Sequence, residues 1–308
     1  MNVEGVLPVL KPRGWTSHDV VAKVRGILKI KKIGHTGTLD PEVTGVLPLC
    51  IGKATRVVEY IQLLPKEYEV VLKLGISTDT EDMTGNVTKQ LEEQMNVTID
   101  QIEDTMDAFI GEIQQIPPMY SAIKVNGKKL YEFARKGEVV ERKARTVMIH
   151  KIDLLDFNLD LKYPEIKFRV LCSKGTYIRT LCVDIGRKLN VPATMLSLVR
   201  TATGNIDLNQ CLSIDEIQKL VDSNGLNHKL ISIDQSVQHF PSFIIKDNQL
   251  QNARFGKKLN FSDLKSKPES KIDLIRLYSE NNVFIGIYKL DHINQMVIPN
   301  KLFLDNQS

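Results

Sequence analysis

The sequence predicts an α+β fold with a mixed, largely antiparallel sheet flanked by helices, and three observations carry that prediction. Strand-like and helical segments are interspersed without the regular strand–helix–strand alternation that a parallel sheet requires. Tyr68, Val70, Leu72 and Leu74 alternate with Glu67, Glu69 and Lys73, the period of a half-buried strand. Composition changes near residues 238–241, and only short strand candidates follow. The 308 residues therefore divide into a large domain, 1–237, and a small β-rich one, 238–308.

Taken in order, residues 6–10 read as a short strand. Thr16 with Asp19 three places on is a capping box opening a helix, and Val20, Val21, Val24, Ile27 and Leu28 follow at helical spacing. After a glycine-rich loop, the apolar run 46–51 reads as a buried strand despite Pro48. A helix over 53–63 puts Val57, Tyr60, Ile61 and Leu64 on one side. Ile99, Ile102, Met106 and Phe109 mark another amphipathic helix, Asn126-Gly127 is a turn signal, and 129–136 is helical. Strands are expected at 146–157 and 166–172, then a helix over 176–189 with Ile178, Leu181, Cys182, Ile185 and Leu189 as its core stripe. A capping-box helix at 213–221 closes the large domain. Strands at 272–277, 283–290 and 296–298 build the small one.

Composition bounds the function. Hydrophobic residues at 42% and charged residues at 25% suit a globular protein with a full core. No apolar run approaches the roughly 18 residues of a membrane span. Met1-Asn2-Val3-Glu4 lacks the basic flank and apolar block of a secretory signal, so the cytoplasm is expected. Cys50, Cys172, Cys182 and Cys211 lie far apart with no Cys-x-x-Cys pair, which reads as buried reduced thiols. The net charge of +4 is unevenly spread: Lys29, Lys31 and Lys32 form one cluster and Arg142, Lys143 and Arg145 another, while acids gather between Glu92 and Asp107. That separation fits either one basic face for phosphates or solvated charge on unrelated surfaces. Phosphate-loop, dinucleotide and His-Glu-x-x-His signatures are absent from the sequence, so neither cofactor nor metal is expected.

Two segments concentrate chemistry. In Gly34-His35-Thr36-Gly37-Thr38-Leu39-Asp40-Pro41, closed by Thr44-Gly45, a stiff proline follows a single carboxylate on a glycine-hinged loop. Taken alone, Asp40 reads most simply as a turn residue, because Asp-Pro initiates turns. An aspartyl-phosphate site is a weak rival, since the Thr-Gly-Thr triplet precedes the Asp and no second Asp follows two places on. The second segment, Cys172-Ser173-Lys174-Gly175-Thr176-Tyr177-Ile178-Arg179, spans a strand-to-helix junction. Tyr177 and Arg179 are either aimed together at a ligand or are a core Tyr and a surface Arg; Tyr68 by position alone reads as core. Asp79 to Gly85 superficially suggests a calcium loop, but its oxygen ligands stop at Met83, so a capped polar turn is expected.

Together these segments resemble the TruB family, the bacterial tRNA pseudouridine synthases acting on uridine 55 of the T loop. The resemblance covers most of residues 5–205. It includes Lys11-Pro12 before Gly14-Trp15-Thr16-Ser17, the Asp40 loop, Lys66-Glu67-Tyr68, and Thr78-Asp79-Thr80 with Asp82 and Gly85. Pro117-Pro118-Met119-Tyr120-Ser121-Ala122, Tyr177-Ile178-Arg179 and Leu198-Val199-Arg200-Thr201 also match.

The resemblance implies the pseudouridine synthase fold followed by a small PUA-like RNA-binding domain. It implies tRNA, through its T arm, as partner, with no guide RNA, no cofactor and no metal; a monomer is expected, though not from any residue pattern. Asp40 would be the catalytic carboxylate on a flipped-out uridine, closed from water and held ionised by Arg179. Tyr68 would stack on the uracil and is one candidate for relaying the C5 proton. Tyr177 and Leu198 would line the pocket, His35 would contact RNA where the base is extruded, and Lys11 would help bind substrate. The competing readings are a non-catalytic RNA chaperone, which has no need of Asp40, Tyr68 and Arg179 together, and the guide-RNA-dependent synthases, which share the catalytic blocks.

Overall fold

The computed structural model describes residues 3–93, 95–125 and 127–304; Asn126, half of the expected turn signal, lies outside them. Strand β1 (Gly5–Lys11) leads into helix α1 (Ser17–Leu28), opened by the expected capping box: Thr16 Oγ1 accepts from Asp19 N, and Asp19 returns a carboxylate oxygen to Thr16 N. The short β2 (Ile33–His35) follows, then β3 (Thr44–Ile51). β1 and β3 pair along their whole length with Pro8 opposite Pro48. Both carbonyls point outward, Pro8 O to Leu212 N and Pro48 O to Thr36 N, so neither missing N–H is needed across the pair.

The single helix expected over 53–63 is two pieces. A 3-10 turn, Gly52–Val57, in which the Thr55 hydroxyl donates to Gly52 O, precedes α2 (Val58–Leu63). Then come β4 (Lys66–Leu74), the hairpin of β5 (Ile76–Thr78) and β6 (Val87–Gln90), α3 (Ile99–Asp107) and β7 (Gly111–Gln115). A second small hairpin, β8 (Lys124–Val125) with β9 (Lys128–Lys129), runs into the one-turn α4 (Leu130–Ala134). The long β10 (Arg145–Asn158) and β11 (Glu165–Cys172) precede α5 (Ile178–Lys188), β12 (Ala193–Thr203), β13 (Ile206–Asp207), α6 (Ile214–Asp222) and α7 (Ile233–Ser236).

These strands form one mixed sheet in the order β1-β3-β12-β4-β11-β10-β7, with β2 on β3 and β13 on β12. Every pairing is antiparallel except β12 with β3. β12 was not among the expected strands, yet it is the one through which the two halves of the sheet join. Its apolar period is broken because Thr194, Arg200 and Thr203 occupy buried positions. α5 lays Ile178, Leu181, Cys182 and Ile185 on the core beneath β4 and β11, as its stripe predicts, while α1 and α6 cover β1 and β3.

The C-terminal segment folds as β14 (Ser242–Ile244), α8 (Leu250–Arg254), β15 (Leu259–Asn260), β16 (Leu274–Tyr278), β17 (Phe284–Asp291) and β18 (Met296–Leu302). Its five strands form a separate sheet in the order β14-β16-β17-β18-β15, two more strands than the sequence showed. The sheet docks on α2 through Tyr60 Oη to Asn300 Oδ1 at 2.8 Å and a Lys301–Glu59 ion pair at 2.9 Å. Among the described residues no helix is long and apolar enough to cross a membrane. The four thiols are free. Three are buried as expected, but Cys211 is partly exposed because it sits after the short turn Leu208–Gln210 at the surface.

Candidate active site

The Asp40 loop is fixed from several sides. Ser17 Oγ accepts from Leu39 N at 2.9 Å, Thr36 N donates to Pro48 O, and Gly14 N donates to Pro41 O. Lys11 is the deepest of these anchors. It is fully buried, and its ammonium donates to the carbonyls of Pro12 (2.9 Å), Trp15 (2.5 Å) and Pro41 (3.0 Å). Desolvation lowers its pKa to about 8. Lys11 therefore does not face a substrate, contrary to the sequence expectation: all three of its donors are used in tying the β1–α1 turn to the residue after Asp40.

The loop is one wall of a cavity of about 400 Å³. Asp40, Tyr68, Tyr177, Arg179 and Leu198 all line it, although they come from four separate stretches of chain. α5 begins with Tyr177 as its N-cap, which is pinned on both backbone groups: Gln115 Oε1 accepts from Tyr177 N at 2.7 Å, and Gln115 Nε2 donates to Tyr177 O at 3.0 Å. Arg179 in the first turn of that helix is only 5% exposed. Its guanidinium donates to Thr80 O (2.9 Å) and Tyr120 O (2.8 Å), and pairs with Asp40 Oδ2 at 3.0 Å and Asp82 Oδ2 at 3.7 Å. The surface-Arg reading is thereby excluded. The Asp79–Gly85 segment is a polar turn, with Asp79 Oδ1 accepting from Asn86 N and Asp82 Oδ1 from Thr84 N, and it delivers the Thr80 carbonyl to Arg179.

Asp40 itself is not enclosed. Its side chain is 45% exposed, so the closure from water expected of a catalytic carboxylate is not supplied by the protein alone. Burial pushes the phenol pKa of both Tyr68 and Tyr177 upward; the strongest opposing influence is Arg200 for Tyr68 and the Ser121 hydroxyl for Tyr177. His35 flanks the loop without lining the cavity. It stands edge-on to His18 at 5.4 Å, and its Nδ1 accepts from Gly37 N at 3.3 Å, which requires an unprotonated Nδ1; burial lowers its pKa accordingly.

Sequence reasoning quoted Lys66, Arg200 and Asp82 within matching blocks but assigned them no role, and it missed Gln115. Lys66 and Arg200 line the cavity as buried cations, Lys66 Nζ donating to Gln62 O and Leu64 O. The signal available for Arg200 was a charge inside a run of largely apolar residues, Leu196 to Ala202; Lys66, beside Glu67 in a strand that alternates charge, carried no such signal.

Comparison with known proteins gives this site its context. The model of the TruB family pseudouridylate synthase N-terminal domain matches residues 25–178, and that of the tRNA pseudouridylate synthase B C-terminal domain matches residues 179–238. The chain belongs to the TruB family. The junction between the two models falls immediately before Arg179, so the Asp40–Arg179 pair joins them. TruB relatives include tRNA pseudouridine synthase B of Bacillus cytotoxicus, 42% identical over 309 residues and covering 99% of both chains. That of Bacillus licheniformis is 44% identical over 289 residues, covering 92% of both. Among solved structures, a chain of a Cbf5–Nop10–Gar1 complex superposes with a TM-score of 0.76 at 28% identity, over 97% of this chain and 85% of that one. The protein is thus an isomerase of the TruB type, with the mixed sheet and C-terminal β-rich domain of that fold.

Proposed function

We propose that the protein converts uridine 55 in the T loop of tRNA to pseudouridine without a guide RNA, using Asp40 on a uridine flipped into the cavity. The observation that carries this reading is the Arg179–Asp40 pair at 3.0 Å on the wall of a cavity shared with Tyr68, Tyr177 and Leu198. Near-complete coverage of relatives named tRNA pseudouridine synthase B favours tRNA as substrate over a guide-directed target.

The reaction breaks the N1–C1′ bond, turns the freed uracil and joins C1′ to C5, with the C5 proton lost to a base. No electrons or water are consumed. Arg179, immobilised by two carbonyls, pairs with the Asp40 carboxylate and aims it for each task open to it: attack at C1′, attack at the ring or removal of a ribose proton. The RNA, laid over the mouth of the cavity, completes the exclusion of water that the protein leaves open at Asp40. The Tyr68 ring stacks on the uracil, a contact worth roughly 1–3 kcal/mol, and its oxygen, once deprotonated, takes the C5 proton. His35 guards the loop where the base leaves its stack. Residues 238–308 act as a PUA-like RNA-binding domain beside the catalytic residues 1–237, in a monomeric cytoplasmic enzyme.

The test is incubation of the purified protein with unmodified tRNA transcript, without guide RNA, and mapping of pseudouridine at nucleotide resolution. Product at the T-loop uridine is expected. Product elsewhere, or none, overturns the proposal.

A further inference from the structure

Arg200 occupies a singular place in the sheet. In its row across the strands it faces Gly45 of β3 on one side and Tyr68 of β4 on the other. Gly45 has φ +113°, and a Cβ there would lie 2.2 Å from the Arg200 carbonyl oxygen, so the position admits only glycine. The Arg200 side chain crosses toward that strand: Nε donates to Val46 O at 2.7 Å and Nη2 to Gly37 O at 3.2 Å. One guanidinium thus grips both the start of β3 and the stem of the Asp40 loop. On the opposite flank, a directly paired residue such as Tyr68 has its Cβ about 4.5–5.5 Å away.

The residue is 1% exposed, and among the described residues no carboxylate forms an ion pair with it. A buried cation answered only by carbonyls is costly to keep. Arg179 already serves Asp40; of the acids that feel Arg200, the Tyr68 phenol is paired directly across the strands and lines the cavity, whereas the Cys211 thiol does not line it. We infer that Arg200 is a positioning residue that ties the Asp40 loop to Tyr68 and whose buried charge supports the ionised phenol during removal of the uracil C5 proton. This rests on the pseudouridine synthase reading above.

In that step the phenol has first lost its proton to solvent. The C5–H bond then breaks, its electron pair returns to the ring to restore conjugation, and the proton passes to the phenolate oxygen and later to water. The groups acting on the phenol are Arg200 from β12, Cys172 from β11 and Asp40 from the loop; burial pushes its pKa up, Arg200 pulls it down, and Cys172 and Asp40 add to the rise. Lys66, on the same strand, and Arg179, from α5, line the same cavity.

The test is single-turnover release of tritium from a tRNA transcript carrying 5-tritiated uridine, followed across the neutral and alkaline range for wild type, Arg200→Lys, Arg200→Gln and Tyr68→Phe. Arg200→Gln is expected to slow release at least about tenfold with tRNA affinity changed less than about threefold, and to move the alkaline limb to higher pH. Arg200→Lys should restore part of the rate. Adding Arg200→Gln to Tyr68→Phe should cost little more than Tyr68→Phe alone. Superimposable pH profiles for wild type and Arg200→Gln, or fully additive losses in the double variant, overturn the inference. Should Arg200→Gln not fold, a fluorinated tyrosine of lower pKa at position 68 takes its place, with Arg200 intact. A limb displaced to lower pH then supports a working phenolate, and an unmoved limb overturns it. A wild-type protein that releases no tritium and forms no pseudouridine overturns the functional reading itself, and this inference with it.

Discussion

The nine-stranded sheet buries Lys66, Thr194, Arg200 and Thr203, whereas the five-stranded sheet buries Ile275, Leu277, Ile285, Tyr288 and Val297 and, among the described residues, only Ser279 as a polar residue. The second is an ordinary hydrocarbon core, in which buried apolar area does the stabilising. The first accepts ionic groups that cost stability: Lys66 and Arg200 are met by main-chain carbonyls at one cavity, and Lys11 by carbonyls behind the Asp40 loop. The difference teaches where this protein has placed chemistry ahead of stability. Substitutions in the two regions should therefore separate activity from folding.

The largest separation is expected from Asp40→Asn. Single-turnover pseudouridine formation should fall by about 10²-fold or more, while tRNA affinity and thermal midpoint stay near wild type. Normal product formation by this variant would erase the contrast. Lys11→Met should do the reverse, chiefly costing stability. It strips the donor from three carbonyls at a fully buried site, and a denaturant titration should show a loss on the order of 1–3 kcal/mol.

The same variant has a pH signature. Burial lowers Lys11 to about 8 from 10.5, so between those values the unfolded chain binds a proton that the folded one does not. Stability contributed by this residue rises with pH across that window, and its desolvation penalty is complete below about 8. Lys66 shows the same depression to about 8, so the rise should become shallower in Lys11→Met without vanishing. An unchanged slope would show that Lys11 does not titrate there.

In the C-terminal sheet, Tyr288→Phe removes a buried hydrogen bond to Ala253 O at 3.0 Å and should cost about 1 kcal/mol with no change in single-turnover rate. A slowed rate would show that this core reaches the site. The smallest effect is expected at the seam, where Glu59→Gln breaks the exposed pair with Lys301. A change of about 0–1 kcal/mol, reduced further by salt, is expected in thermal melts.

The elements that the sequence announced were those whose burial follows an apolar period: the capped α1, the alternating β4, and the stripe of α5. β12 stayed hidden because its inward positions hold Thr194, Arg200 and Thr203, and pattern reading counts those as polar. Asp40, Tyr68, Tyr177 and Arg179 were legible through the resemblance, and Leu198 with them. Their convergence was implied by the resemblance alone, since residue pattern does not give the strand order that brings them together. Lys11, which the resemblance assigns to substrate binding, is instead set by its burial against main-chain carbonyls, a contact no sequence pattern announces. β14 and β15 were too short, at three and two residues, to leave a periodic trace.

The parallel pairing of β12 with β3, at Val199 with Thr44 and Arg200 with Gly45, has a consequence for the order of assembly on the ribosome. The strand that closes the site emerges about 150 residues after the loop it closes, a gap on the order of 10–30 s at usual elongation rates. Through that interval β3 and β4 wait with facing edges unpaired, and the stem of the Asp40 loop lacks the guanidinium that grips it. A nascent chain halted before residue 193 therefore carries the carboxylate but no finished pocket. The nascent protein meets its RNA as a competent enzyme only after roughly two-thirds of its chain has been made, and those unpaired edges are where a stalled chain is most exposed to aggregation.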